Sequence, residues 1–387
     1  MGDGYPRFSS AEMTRRRSAL EETMGDADVD LLVIYGSNRV GTAVEWVSEW
    51  PVTQEAVLIF APGEQDVLFV QHYNHLPNAR ILARSADVHW GGPSTIETVA
   101  GLLKQRGARR VGVLGPLRFD AHQRLSSEVG ELTTLDQAYT RLRLVKSAEE
   151  IDRLREAARL SDAAVAAVAH GLQPGMDERS LGALAESAYL GEGATNQIHY
   201  FAVTSMIDPK MCVPAQFPTD RRVEVGDVLF CEISAAYFGY AGQVLRTFTV
   251  GADPEDLFIR LHGTAEEAFR RVTAAARPGA HVRELVEASA VIEESGFTIY
   301  DDLVHGYGGG YLPPVLGCAS RDHRPIPDMR LEEGMALVVQ PNVITPDERA
   351  GVQTGELGVI AEAGWVSLHA APGGIRRIDP SSPDVGG

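Results

Sequence analysis

The chain has 387 residues, 44% of them hydrophobic and 23% charged, which is ordinary composition for a folded protein with room for two domains. Its net charge of −18 argues against nucleic acid as a partner, because phosphate binding needs basic patches. Cys212, Cys231 and Cys318 are too few and scattered for a disulfide framework, and neither a signal peptide nor a membrane-length apolar run is visible, so a soluble, cytoplasmic protein with no membrane partner is expected.

Residues 10–145 alternate helical and strand patterns. Ser9 to Met24 predicts a polar helix, and Asp30 to Tyr35 a buried strand. Ala56–Phe60 and Val67–Val70 flank Pro62-Gly63-Glu64, a hairpin signal. Thr95–Arg106 predicts a helix and Arg110–Leu114 another strand, giving an α/β domain with a mixed sheet. The region holds no Gly-rich strand-to-helix turn of the dinucleotide-binding kind. A boundary falls near Arg141–Ser147, where Ser147-Ala-Glu-Glu150 forms a capping box that starts a helix. The domains are therefore expected at 1–145 and 146–387.

The second domain carries an internal duplication. Pro174-Gly175-Met176 with Leu181 is matched by Pro278-Gly279-Ala280 with Leu285, each opening a helix. Each helix leads into an apolar strand, Ile198–Val203 and Phe297–Leu303. Gly226 to Glu232 is then matched by Gly334 to Gln340, a glycine turn followed six residues later by a polar group at the end of a strand. Return strands add Gln243 in the first half and Glu356 in the second.

Five polar positions thus converge: Glu232, Gln243, His305, Gln340 and Glu356. Glu232 follows apolar and small residues on a strand, where a carboxylate is costly unless it faces a polar pocket. His305 begins a Gly-rich turn, Gly306-Tyr307-Gly-Gly-Gly-Tyr311, and such open loops line cavities. Gln243 and Gln340 suit either substrate contact or hydrogen-bonded core. His199 and Tyr200 end the strand entering the cleft, with contact or packing both open. Cys212 as a nucleophile needs a neighbouring base, for which His305 is the candidate. Arg246, three residues from Gln243, is expected on the other strand face as an ion-pair partner. His72 and His75 are expected on the surface of the small domain.

Arg143-Leu-Val-Lys-Ser-Ala-Glu-Glu-Ile151, Gly226-Asp-Val, Gly239-Tyr240 with Arg246-Thr-Phe248, Val304-His-Gly306 and Leu331-Glu-Glu-Gly-Met335 resemble the "pita-bread" family of aminopeptidase P, prolidase, methionine aminopeptidase and creatinase. The resemblance covers nearly the whole chain. It implies a small N-terminal mixed-sheet α/β domain and a C-terminal pseudo-twofold domain with a curved antiparallel sheet, assembled as a homodimer. It also places the family's metal ligands on Glu232, Gln243, His305, Gln340 and, with a one-residue gap, Glu356; without the gap the last falls on Gly355. A second histidine of the peptidases would fall on Leu312, and a short insertion then brings in Cys318 and His323. Creatinase's essential histidine would fall on Cys212 and its guanidinium-binding glutamate on Leu245.

An amide offers one weakly donating oxygen and no charge, so two of the five positions are poor ligands. The expectation is an enzyme without a cofactor, metal-independent and creatinase-like, acting on a small amine- or guanidine-bearing molecule. His305, Glu232, Glu356 and Cys212 would be catalytic; Gln243, Gln340, His199, Tyr240 and Tyr307 would bind substrate. The alternatives are a metal-dependent Xaa-Pro aminopeptidase or prolidase, one weakly held divalent ion on Glu232, His305 and Glu356, and a non-catalytic ligand-binding protein.

Overall fold

The fold follows from a computed structural model that describes residues 4–38, 40–321 and 325–379. His323, named above in the insertion, lies outside the described residues. Two compact units separate between Arg143 and Leu144.

The first unit is built around β1 (Leu31–Gly36), which is apolar at every position and buried throughout. It pairs antiparallel with β2 (Ala56–Phe60), which turns through Pro62-Gly63 into β3 (Asp66–Val70). Three further strands, β4 (Ala86–Trp90), β5 (Val111–Leu114) and β6 (Leu132–Thr134), complete a six-stranded mixed sheet ordered β4-β3-β2-β1-β5-β6. Helices cover both faces, leaving one apolar core on each. The Ser10–Asp26 helix starts where the Ser9 hydroxyl accepts from the Glu12 N–H, and the Thr95–Arg106 helix ends at Gly107 with a positive φ.

The second unit opens with the capping box. The Ser147 N–H donates to Glu150 at 3.0 Å and the Ser147 hydroxyl accepts from Glu150 N–H at 3.2 Å, starting the Ala148–Gly171 helix. Its strands are β7 (Thr195–Ser205), β8 (Asp227–Tyr237), β9 (Tyr240–Val250), β10 (Thr298–Ile299), β11 (Val304–Gly306), β12 (Leu312–Leu316), β13 (Ala336–Val339), β14 (Val343–Ile344), β15 (Gly355–Ala361), β16 (Gly364–Ser367) and β17 (Arg376–Ile378). The large sheet runs β12-β11-β13-β15-β9-β8-β7, with β16 on β15 and β17 on β9. This is the mixed α/β unit followed by a curved antiparallel sheet of the pita-bread fold.

The duplication is visible bond by bond. Gly175 N–H donates to Val223 O and Gly279 N–H to Leu331 O, both at 2.8 Å. The return bonds, Val223 to Met176 and Leu331 to Ala280, are 2.8 and 2.9 Å. Gly226 and Gly334 each donate at 2.8 Å to the far end of the neighbouring strand, Val250 and Ile360. One matched pair differs. Ile198–Val203 lies within a single long strand, but the expected strand Phe297–Leu303 does not form. Asp301 and Asp302 interrupt it, so β10 pairs with β14 in a separate two-stranded sheet while β11 joins the large one. That break lets the chain enter the cleft ahead of His305. Among the described residues no helix is long and apolar enough to cross a membrane.

Candidate active site

Strand alternation decides which side chains share the cleft, because successive residues face opposite sides of a sheet. Glu232 on β8 stands opposite Tyr200 on β7 and Leu245 on β9, and Ser234 stands opposite Gln243. Leu245 stands opposite Gly355, so Gly355 shares their face. Glu356, opposite Val244, shares the other one. His305, opposite Val338, and Gln340, one residue beyond Val339, return to the Glu232 face.

The reverse face holds the Ala148–Gly171 helix, whose Leu160 and Ala164 pack with Cys231, Ile233 and Val244. The helix approaches so closely at Gly242 that a Cβ there would lie 2.3 Å from Ala158 N, and Ser161 ties the two together by donating to the Gly242 carbonyl. Glycine at 242 is therefore what seats Gln243 at its level in the cleft.

Within the cleft, a chain of hydrogen bonds joins four side chains. Gln243 Nε2 donates to Glu232 Oε1 and to Gln340 Oε1, each at 2.8 Å. Gln340 Nε2 donates to Asp301 Oδ2 at 3.3 Å. Gln243, Gln340 and His305 are fully buried and Glu232 is 6% exposed, so water does little to stabilise charge here. Burial, with a smaller push from the Asp301 carboxylate, raises the Glu232 carboxyl to about 8. Burial likewise raises Asp301.

His305 is held neutral: burial lowers it to about 4, outweighing the hydrogen bond to Gly306 O and the charge of Asp302. Its Nδ1 lies 3.2 Å from the Gly306 carbonyl, which assigns the proton to that nitrogen. Nε2 is then a lone-pair acceptor, buried and without a hydrogen-bond partner, with the Gln340 amide beside the ring. Tyr311 stacks on the imidazole with ring centres 3.9 Å apart, and Tyr307 meets it edge-on at 5.4 Å. Burial pushes both phenols well above their usual range, so they remain hydrogen-bond donors. The Tyr307 and Ser234 hydroxyls face each other without closing a hydrogen bond.

The structure thus brings together Glu232, Gln243, Gln340, His305 and Tyr307. Four other candidates lie elsewhere. Glu356 is on the reverse face, where Arg246 Nη2 and the Ser367 hydroxyl donate to it; the single weak ion expected on Glu232, His305 and Glu356 has no common site. Arg246 is the ion-pair partner that its spacing implied. His199 also faces backwards, against Gly182 and near Glu186. Tyr240 donates to Glu150 at the start of the long helix, at 2.7 Å. Cys212 is buried and its thiol is pushed up by burial and by Glu348, the reverse of what a nucleophile needs. Asp301 and Tyr311 were missed. The pair Asp301-Asp302 inside an apolar run was the available signal, since a carboxylate there is as costly as at Glu232.

The model of metallopeptidase family M24 matches residues 152–362. The chain belongs to that family. It is 26% identical over 330 residues to the uncharacterized peptidase YqhT of Bacillus subtilis, covering 83% of this chain and 89% of the relative. It is 26% identical over 265 residues to the Xaa-Pro dipeptidase of Pyrococcus furiosus, covering 67% and 73%. The solved Xaa-Pro dipeptidase from Bacillus anthracis superposes with a TM-score of 0.81 at 20% identity, over 94% of this chain and 99% of that one, which establishes the shared fold.

These matches overturn two expectations. The chain is a hydrolase of the M24 fold whose relatives are named peptidases, so the creatinase-like reading falls. The family is one of metallopeptidases, so the expectation of an enzyme without a cofactor falls with it. The frame of matched elements, and not the two amides within it, marks the family.

The side chains at the ligand positions nevertheless do not fit two metal ions. The two amides offer only neutral oxygens, of which Gln340 Oε1 already accepts from Gln243, Glu356 is turned onto Arg246, and among the described residues no three His, Cys, Asp or Glu side chains are grouped to hold an ion.

Proposed function

We propose that this chain hydrolyses short peptides of the Xaa-Pro class. The names of its relatives suggest the substrate class, and one observation supports the chemistry. In a single cleft of this fold, a proton-carrying carboxyl (Glu232) stands with a partnerless imidazole nitrogen (His305) and a partnerless phenol (Tyr307). A carboxyl titrating near 8 is populated in both forms around neutral pH, the condition for efficient general acid–base transfer. Glu232 takes a proton from the attacking water and returns it to the leaving imino nitrogen. His305 Nε2, neutral and accepting, orients that water. The Tyr307 hydroxyl donates to the carbonyl oxygen as negative charge develops. Gln243 and Gln340 hold Glu232 in place. The substrate is a small molecule, and the working assembly is a homodimer, which light scattering tests as twice the chain mass.

The test is release of free proline from Ala-Pro and Leu-Pro by purified protein, measured as isolated, after EDTA, and after added Mn²⁺. Hydrolysis in any of the three states that is lost in Glu232→Gln supports the reading. No hydrolysis in all three, over a panel of Xaa-Pro dipeptides and tripeptides, defeats it.

A further inference from the structure

We propose that Asp301 is the specificity residue that holds the substrate's free ammonium group. The proposal rests on the peptidase reading only for the identity of that group as a peptide N-terminus. Its basis is the balance of donors and acceptors in the cleft. Gln243 Nε2 gives its hydrogens to Glu232 and Gln340, and Gln340 Nε2 donates to Asp301. Gln243 Nε2 is fully used and Gln340 Nε2 keeps one hydrogen, beside several oxygens with open lone pairs. Gln243 Oε1 is fully buried and has no hydrogen-bond partner, fixed in that orientation by the two bonds on its nitrogen. Glu232 and Asp301 carry further lone pairs, and no lysine or arginine acts on either among the described residues.

A group that completes these oxygens, with Glu232 in its ionised form, brings donors and positive charge. A primary ammonium has three donors and no acceptor. The aromatic wall suits the same group, since Tyr307, Tyr311 and His305 form one ring cluster and ring faces attract cations. Asp301 itself is anchored for the task. Oδ1 accepts from the Asp302 N–H at 2.8 Å and Oδ2 from Gln340, which fixes the carboxylate at the point where the chain breaks from β10 into the cleft.

The experiment is calorimetric titration of L-leucinamide and of 4-methylpentanamide, which lacks only the amino group, into the full chain in EDTA, so that no divalent cation stands in for the ammonium. Wild-type protein is expected to bind the free amine roughly tenfold to a hundredfold more tightly, the range for a hydrogen bond to a charged group. Asp301→Asn keeps an oxygen for Gln340 but no charge, and should narrow the ratio to within about threefold; Asp301→Glu should retain a preference. Equal binding of the two probes by the wild type overturns the proposal without recourse to any variant, and so does full discrimination by Asp301→Asn. The two readings fail separately. Amine discrimination without Xaa-Pro cleavage leaves Asp301 assigned and removes the peptidase. Cleavage with equal binding does the reverse.

Discussion

Replacing Glu232 with glutamine preserves shape and an oxygen for the Gln243 N–H, and removes only the titration. A carboxyl that ionises at about 8 in the fold and at 4.5 when solvated is harder to ionise in the native state. At about 1.4 kcal/mol per pH unit, the difference amounts to about 5 kcal/mol. Its sign is set by proton counts. Between these two pH values the native state binds more protons than the unfolded chain, so this residue's contribution is complete below about pH 4.5 and lost as the pH rises through about 8. Glutamine has no such loss. Urea unfolding of both proteins in EDTA, followed by circular dichroism from pH 5 to 9, isolates the effect, because every other titrating group cancels in the difference. Glu232→Gln should gain on the wild type by on the order of 4 kcal/mol between pH 5 and pH 8. A difference that stays flat across that range means that Glu232 is ionised or solvated, and the proton-carrying role assigned to it fails.

Four further substitutions test the placement of neighbouring residues. Arg246→Met strands the Glu356 carboxylate on the reverse face and should cost about 3–5 kcal/mol by urea midpoint, with only part recovered in Arg246→Met/Glu356→Gln, because Arg246 also serves the carbonyls of Leu245, Gly355, Ala371 and Pro372. By contrast Glu356→Gln alone should leave KM for Leu-Pro unchanged, which would not hold if that side chain reached the cleft. Gly242→Ala sets a methyl against the Ala157–Ala158 backbone and should lower stability by about 3 kcal/mol or more, read as a fall in Tm. Gln340→Glu replaces a donor to Asp301 with a second carboxylate. It should destabilise by about 1–3 kcal/mol at pH 8 and by less at pH 5, where the pair shares a proton.

Much of this was legible in the sequence because its signals are local. The Ser147 capping box, the hairpin at Pro62-Gly63 and the paired glycine turns at Gly226 and Gly334 each depend on a few adjacent residues, and all form as their chemistry dictates. The duplicated order of elements fixed the fold and put Glu232, Gln243, His305 and Gln340 together. Two things were not legible. Whether Phe297–Leu303 would run as one strand depended on the tertiary position of Asp301, since an apolar window tolerates a carboxylate pair only where a polar cleft receives it. The face taken by the last return strand depended on one residue of register. A single-residue shift exchanges the two sides of a strand, and aligning with or without a gap selected Glu356 or Gly355 with nothing in the sequence to decide.

That register has a chemical consequence. With Glu356 in the cleft, each half would supply one carboxylate and one amide, a balanced pair of pairs. With Gly355 there instead, the second half's return strand supplies no side chain at all. A Cβ at 355 would sit 2.3 Å from Val339 O and 2.7 Å from Gln340 Cα, so the backbone fills the space where a glutamate would stand. The carboxyl opposing Glu232 comes from Asp301, on the loop entering β11, at the far end of the amide chain. The pseudo-symmetry of the fold is therefore broken at the site it builds, with the carboxyls separated by two glutamines rather than clustered. A glutamate introduced at 355 alone cannot restore the balanced arrangement, because it first requires the Val339–Gln340 backbone to move. The asymmetry is a property of how the strands pack, and the substrate's charged end is set by the side on which Asp301 stands.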